Sequence, residues 1–354
     1  MTTFQAHFGG PGRPDGWLRD LLSERVACVP PGGAIDWVTY YFRDRRLAGE
    51  LVAASQRRVD VRVTLEGRPR TLGANDAVIE LLKEGLGDRL RIVSAPTDGL
   101  PLGKLLRPRL HEKLYCFSHP EPTAWVGSFN PSGDRPERSP EVIEEIGDHD
   151  RAFNLLVEMR GDPLVSALVD HARGLHSDSH GFLDRFRRTA NRSLRFDAVG
   201  VHFWPRVSPD PVNRRLASLP AGSRVRLAAS HLSGPTARRV LTGLAKRGVK
   251  LEILAESTPR RVPTSMSLQL SEAGALIQRM GQGQSWIPMH DKFALLETAR
   301  ERVSIFGSFN WSEPSRRFNR EVGVVSADRP LFETLEERWA ELARHASPAA
   351  STLD

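Results

Sequence analysis

The chain has 354 residues, 40% of them hydrophobic, enough for one large or two medium domains with true cores, which excludes a disordered chain. Its 50 Lys and Arg exceed its 43 Asp and Glu, and the formal charge of +7 favours an anionic partner, nucleic acid or a phospholipid head group, without choosing between them. Cys28 and Cys116 are too few for a disulfide framework or a zinc cluster and read as ordinary thiols; with no secretory leader and no run near the ~18 apolar residues of a membrane span, a cytoplasmic location is expected.

In chain order, Asp36 to Phe42 reads as a strand, Arg46 to Arg57 as a helix with apolar residues at three- and four-residue spacing, and Val59 to Glu66 as a second strand. Strand, helix, strand implies a crossover and a largely parallel sheet. Leu100 to Leu110 leads into His111-Glu-Lys113, a short strand, and then Trp125-Val-Gly-Ser128-Phe129-Asn130. Residues 131–150 are dense in Pro, Gly and charge and read as a loop insertion. A strand over Asn154 to Met159 and an amphipathic helix over Leu164 to Leu175 close the first half. Residues 177–195 form a connector whose basic residues read as a solvated face.

The second half says the same thing again. Arg224 to Leu232, Thr236 to Arg247 and Val249 to Glu256 repeat strand, helix and strand, and His290-Asp-Lys292 is followed by Ile305-Phe-Gly-Ser308-Phe309-Asn310. A strand over Glu321 to Ser326 and a helix over Leu331 to His345 complete it. The histidines lie 179 positions apart and the asparagines 180, so the economical reading is a duplication with halves 1–176 and 196–354.

Each half offers an imidazole, an ammonium and an amide. Two such sets around one pocket suit phosphodiester cleavage: a neutral imidazole attacks phosphorus, and the other, protonated, supplies the leaving oxygen with its proton. The lysines and asparagines, with Ser128 and Ser308 beside them, stabilise charge on the non-bridging oxygens, so neither metal nor cofactor is required. A lone His-x-Lys pair would mean nothing; its doubling at matched distance carries the reading. Phe129 and Phe309 read as core residues. Trp125, Trp286 and Trp311 suit either pocket wall or core. His119, His149, His171 and His231 lack a motif partner and read as structural or surface residues.

These motifs resemble the phospholipase D superfamily, His-x-Lys-x4-Asp followed by Gly-Ser-x-Asn, over most of the chain. The resemblance implies an α/β fold of two duplicated halves, each a mixed, largely parallel sheet flanked by helices, meeting at a pseudo-twofold axis. It implies His111 as nucleophile and His290 as general acid, with Lys113, Lys292, Asn130 and Asn310 beside them. The family aspartate is replaced by Ser118 in the first copy and Glu297 in the second. A supporting glutamate is present as Glu321; its first-copy counterpart is Glu141 by spacing or Asn154 by alignment of the flanking strand. The expected function is a single-chain phosphodiesterase leaning to nucleic acid, with no obligate protein partner. A phospholipase or phosphatidyl transferase, and a noncatalytic phosphate-binding protein, are the alternatives.

Overall fold

Alternating apolar residues and β-branched runs become strands wherever both faces can be covered, and the chain provides the covering helices in the same order twice. The computed structural model describes residues 2–94, 108–133, 135, 137–146, 150–178, 183–187, 191–206, 210–280 and 287–348. Trp286, His149 and most of the segment expected to lead into His111 lie outside them.

Among the described residues the first sheet contains β1 (Thr3–Phe8), β2 (Ala34–Thr39), β3 (Asp60–Glu66), β4 (Leu90–Val93), β5 (Leu114–Phe117), β6 (Thr123–Gly127) and β7 (Leu155–Arg160), in the spatial order β1-β7-β6-β5-β2-β3-β4. The second contains β8 (Ser193–Phe196), β9 (Val199–Trp204), β10 (Arg224–Ala229), β11 (Lys250–Ala255), β12 (Leu276–Met280), β13 (Lys292–Glu297), β14 (Arg302–Gly307), β15 (Glu321–Ser326) and β16 (Ala346–Pro348). Its order is β16-β12-β11-β10-β13-β14-β15-β9-β8. The repeat is therefore structural: β5-β2-β3-β4 and β13-β10-β11-β12 are the same arrangement.

The sheets are mixed, as expected, but not largely parallel. Among the described residues the parallel ladders are β2 with β3, β3 with β4, β10 with β11 and β11 with β12, where helical crossovers intervene. The other ladders are antiparallel. The reason is connection length: the short links between β5 and β6 and between β13 and β14 can only turn the chain back.

Helices α1 (Trp17–Cys28), α2 (Arg45–Gln56) and α3 (Asp76–Leu86) belong to the first half, with α4 (Pro140–Ile146) and α5 (Leu164–Ser177). The second half contributes α6 (Pro211–Ala217), α7 (Pro235–Lys246), α8 (Thr264–Glu272), α9 (Glu313–Arg317) and α10 (Arg329–Ala343). Helix α4 lies in the region expected to be loop, so that expectation is corrected in part. Helices α2 and α10 start where an aspartate caps them: the Asp44 carboxylate accepts from the Leu47 N–H at 2.8 Å, and the Asp328 carboxylate from the Leu331 N–H at 2.8 Å.

Strand alternation divides the core. On β2, Ile35 and Trp37 join the cluster under α1, α2 and α3, while Val38 joins a central cluster. On β13, Ala294 and Leu296 join the cluster beneath α6, α7 and α8, while Phe293 and Leu295 join the central one. That central cluster takes Leu164, Leu168 and Leu175 from α5 and Phe332, Leu335 and Leu342 from α10, so both halves share one apolar cluster. Two isolated parallel bridges, Leu110 with Arg320 and Phe153 with Met289, stitch the halves beside the two motif histidines.

Candidate active site

Each motif histidine is set by backbone ties that repeat across the halves. The His111 N–H donates to the Arg320 carbonyl at 2.9 Å, and the His290 N–H donates to the Phe153 carbonyl at 2.8 Å. One residue earlier, the Leu110 N–H donates to Glu66 and the Met289 N–H to Glu256, both at 2.7 Å. Glu66 and Glu256 are buried at the ends of β3 and β11; the repeated strand-final glutamate was the signal for them in the sequence.

The residue between each His and Lys anchors to the central helices. The Glu112 carboxylate meets His171 Nε2 at 2.9 Å, and Asp291 meets Arg338 Nε at 2.9 Å with both side chains fully buried. His171 is thus structural, as read from the sequence. Lys113 Nζ donates to the His111 carbonyl at 2.8 Å and Lys292 Nζ to the His290 carbonyl at 2.9 Å, which folds each ammonium back beside its own histidine.

The Gly-Ser-Phe-Asn turns close the site from below. A Cβ at Gly127 would overlap the Leu155 carbonyl, and one at Gly307 the Val322 carbonyl, so neighbouring strands approach as only glycine allows. Phe129 and Phe309 are core residues, and Trp125 and Trp311 are buried too. Ser128 Oγ donates to Asn154 Oδ1 at 3.2 Å, and Ser308 Oγ donates to Glu321 Oε2 at 2.6 Å.

Those two acceptors stand behind the histidines, and each comes from the opposite half. His111 Nδ1 lies 2.8 Å from Glu321 Oε2, and His290 Nδ1 lies 3.0 Å from Asn154 Oδ1. The open question of the first-copy partner is answered by Asn154; the Glu141 side chain lies outside the described residues. The Asn154 amide donates through Nδ2 to the Ala152 carbonyl at 3.3 Å, which turns Oδ1 to the imidazole. An oxygen acceptor at each Nδ1 favours the neutral tautomer with its proton there and its lone pair on Nε2.

His111, His290, Asn130 and Asn310 line one cleft of about 250 Å³. Lys113 and Lys292 are buried directly behind it. The Asn130 amide oxygen accepts from the Tyr41 N–H at 3.2 Å, while the buried Asn310 Oδ1 has no hydrogen-bond partner among the described residues. A larger hollow of about 520 Å³ lies along β8, β9 and α6 and contains no motif residue.

Burial, then the charges of Lys113 and Lys292, pushes the His111 imidazolium well below its ordinary range. Burial and then Lys292 do the same to His290. Lys113 is lowered to about 7 by burial, and Lys292 falls well below the usual ammonium range through burial and the neighbouring Lys113. Burial raises Glu321 to about 7 against the pull of Lys113 and the hydroxyls of Ser308 and Ser315. The free cleft is thus a weakly protonated cavity short of negative charge.

Sequence reasoning missed the rim. Tyr40, Tyr41, Arg70, Arg109, Glu145, Arg260 and His231 all line the cleft, so the reading of His231 as peripheral is corrected. Tyr40-Tyr41 and Ser230-His231 follow the ends of β2 and β10, equivalent positions of the repeat, and that equivalence was the available signal. The Tyr40 ring lies 4.8 Å from the His111 ring, with Lys113 Nζ 5.2 Å and the Arg109 guanidinium 5.9 Å from the tyrosine ring. Ser118 and Glu297, at the positions of the missing aspartates, sit at the far ends of their strands: Ser118 accepts from the Ala34 N–H at 2.7 Å and Glu297 pairs with Arg302 at 2.9 Å.

Comparison with known proteins shows the family and the fold. The family described as cardiolipin synthase, phospholipase D-like domain, matches residues 33–159 and 219–343. The mitochondrial cardiolipin hydrolase of Xenopus tropicalis is 26% identical over 118 residues, 33% of this chain and 53% of that protein. The chain thus spans about half the length of the curated relatives it matches. Among solved structures, phosphatidylserine synthase from Haemophilus influenzae superposes with a TM-score of 0.68 at 12% identity, covering 97% of this chain and 87% of that one. Polyphosphate kinase from Porphyromonas gingivalis gives 0.64 at 14% identity, covering 98% and 48%. With the family model matching one segment in each half, around each His-x-Lys and Gly-Ser-Phe-Asn motif, the chain belongs to the phospholipase D-like family.

Proposed function

We propose that the chain is a phosphodiesterase working through a phosphohistidine, with nucleic acid as its substrate class. One observation carries the chemistry: two imidazoles, one backed at Nδ1 by a carboxylate and one by an amide, line the same cleft. His111 is the nucleophile, because Glu321 behind it stabilises the positive ring that forms as Nε2 bonds to phosphorus. As the P–N bond forms, the P–O bond to the leaving alcohol breaks, and His290 delivers the proton that alcohol needs. The bound phosphate's negative charge, set among cations, supplies what the free cleft lacks for His290 to hold that proton. In the second step His290 takes a proton from water, whose oxygen displaces Nε2 from phosphorus. Lys113, Lys292, Asn130 and Asn310 hold the non-bridging oxygens, each such donor being worth ~3 to 4 kcal/mol in the transition state.

The nucleic-acid assignment is supported by the charge of +7 and by a rim of Arg70, Arg109, Arg260 and tyrosines, polar groups suited to a phosphate backbone. A second reading, a phospholipid substrate, is supported by the likeness to the cardiolipin synthase family and to the cardiolipin hydrolase of Xenopus tropicalis. Hydrolysis of bis(p-nitrophenyl) phosphate in EDTA, by wild type and by His111→Ala and His290→Ala, tests the chemistry. Turnover lost in both variants is expected, and a wild type inert on this ester and on DNA, RNA and phospholipid panels overturns the proposal in favour of a binder.

A further inference from the structure

The cleft mouth holds an arrangement that the two-histidine chemistry does not use. Helix α4 of the first half reaches the second half and places Glu145 Oε2 among three guanidinium groups: 3.1 Å from Arg260, 3.8 Å from Arg261 and 3.8 Å from Arg70. Arg70 belongs to the first half, Arg260 and Arg261 to the second. Arg260 and Arg70 line the same cleft as the histidines. Arg261 is fully buried: its Nη1 lies 3.8 Å from the buried Glu256 carboxylate, its Nη2 donates to the Glu145 carbonyl at 3.0 Å, and among the described residues its Nε has no hydrogen-bond partner. A carboxylate oxygen at the centre of three guanidiniums occupies the place an anionic oxygen of a ligand would take.

We propose that Arg70, Arg260 and Arg261 form a second phosphate subsite, for the backbone phosphate next to the scissile one in a nucleic acid, and that Glu145 holds it closed in the free protein. This inference rests on the nucleic-acid reading above and adds a position to it. A neighbouring phosphate displaces the Glu145 carboxylate and takes over its guanidinium partners. The carboxylate also acts as a filter, since a substrate without a second anion gives no group to exchange for it.

Calorimetric binding of thymidine 3′,5′-bisphosphate, thymidine 3′-monophosphate and thymidine 5′-monophosphate tests the subsite without turnover, and hydrolysis of bis(p-nitrophenyl) phosphate separately tests the reading on which it rests. In wild type the bisphosphate is expected to bind about tenfold more tightly than either monophosphate. Glu145→Gln, a near-isosteric exchange, should enlarge that advantage, and Arg70→Ala with Arg260→Ala should abolish it. Equal affinities in wild type, or an advantage that survives the arginine changes, would overturn the subsite. Propane-1,3-diol bisphosphate binding as tightly as the nucleoside bisphosphate would overturn its assignment to nucleic acid.

Discussion

Exchanging Glu321 for Gln separates the two histidines most sharply, because the substitution keeps shape and removes charge from one side only. In the free protein the carboxylate accepts from His111 Nδ1 at 2.8 Å and from Ser308 and Ser315 at 2.6 Å each. A hydrogen bond to a charged group contributes about 1.5–3 kcal/mol and a neutral one about 0.5–1.5 kcal/mol. The difference, about 1–2 kcal/mol, falls on the step in which the His111 ring becomes positive, so phosphohistidine formation slows about 5- to 30-fold. Rapid-quench measurement with bis(p-nitrophenyl) phosphate, alkaline quenching and mass spectrometry of the His111 peptide resolves that step from hydrolysis of the intermediate. Asn154→Ala, which removes the neutral partner of His290, should slow formation less than Glu321→Gln does. A Glu321→Gln variant within twofold of wild type, or an Asn154→Ala variant with the larger defect in formation and the phosphoryl group on His290, would refute the assignment of His111 as nucleophile.

With Lys113 lowered to about 7, kcat/KM should fall as pH rises through that region, because the ammonium that stabilises the phosphoryl oxygens is lost; a profile flat to pH 10 contradicts this. On acidification kcat/KM should first fall in part near pH 7, as the Glu321 carboxylate gains a proton, and be lost fully only below the usual imidazole range, since burial lowers the pKa of His111, which must be neutral to attack; full loss at or above 6.5 argues against this. Arg338→Ala should cost about 3–5 kcal/mol in urea denaturation, leaving Asp291 buried without its partner; a loss under about 1 kcal/mol would contradict a buried pair. Gly127→Ala should destabilise by at least about 1–3 kcal/mol, since its Cβ meets the Leu155 carbonyl and the strand must move; thermal melts unchanged from wild type would contradict the close approach.

What the sequence discloses depends on how local the determinant is. His111, Lys113 and Asn130, with His290, Lys292 and Asn310, stand in short patterns beside apolar strands, and duplication made them legible. Pairing direction was less so, since strand, helix, strand describes only β2 to β4 and β10 to β12, while the short link from β5 to β6 dictated antiparallel return. The partners of the histidines were half legible: Glu321 followed its motif at the right spacing, but that it serves His111 of the other half is a fact of docking, which no spacing encodes. Glu145 and Arg260 illustrate the same limit, because a charged residue in a Pro- and Gly-rich stretch reads as solvated until its partner, more than a hundred positions away, is placed beside it. His231 looked solitary for this reason also.

The exchange of supporting groups between halves means that neither motif imidazole has its Nδ1 partner in its own half. His111 takes its bearing from β15, and His290 from Asn154, next to β7. A slight slip along the shared interior would misaim both imidazoles together while every strand kept its hydrogen bonds. Function in this molecule is therefore a gauge of alignment between the two sheets, and mild denaturant should silence it while far-ultraviolet circular dichroism still reports an intact fold.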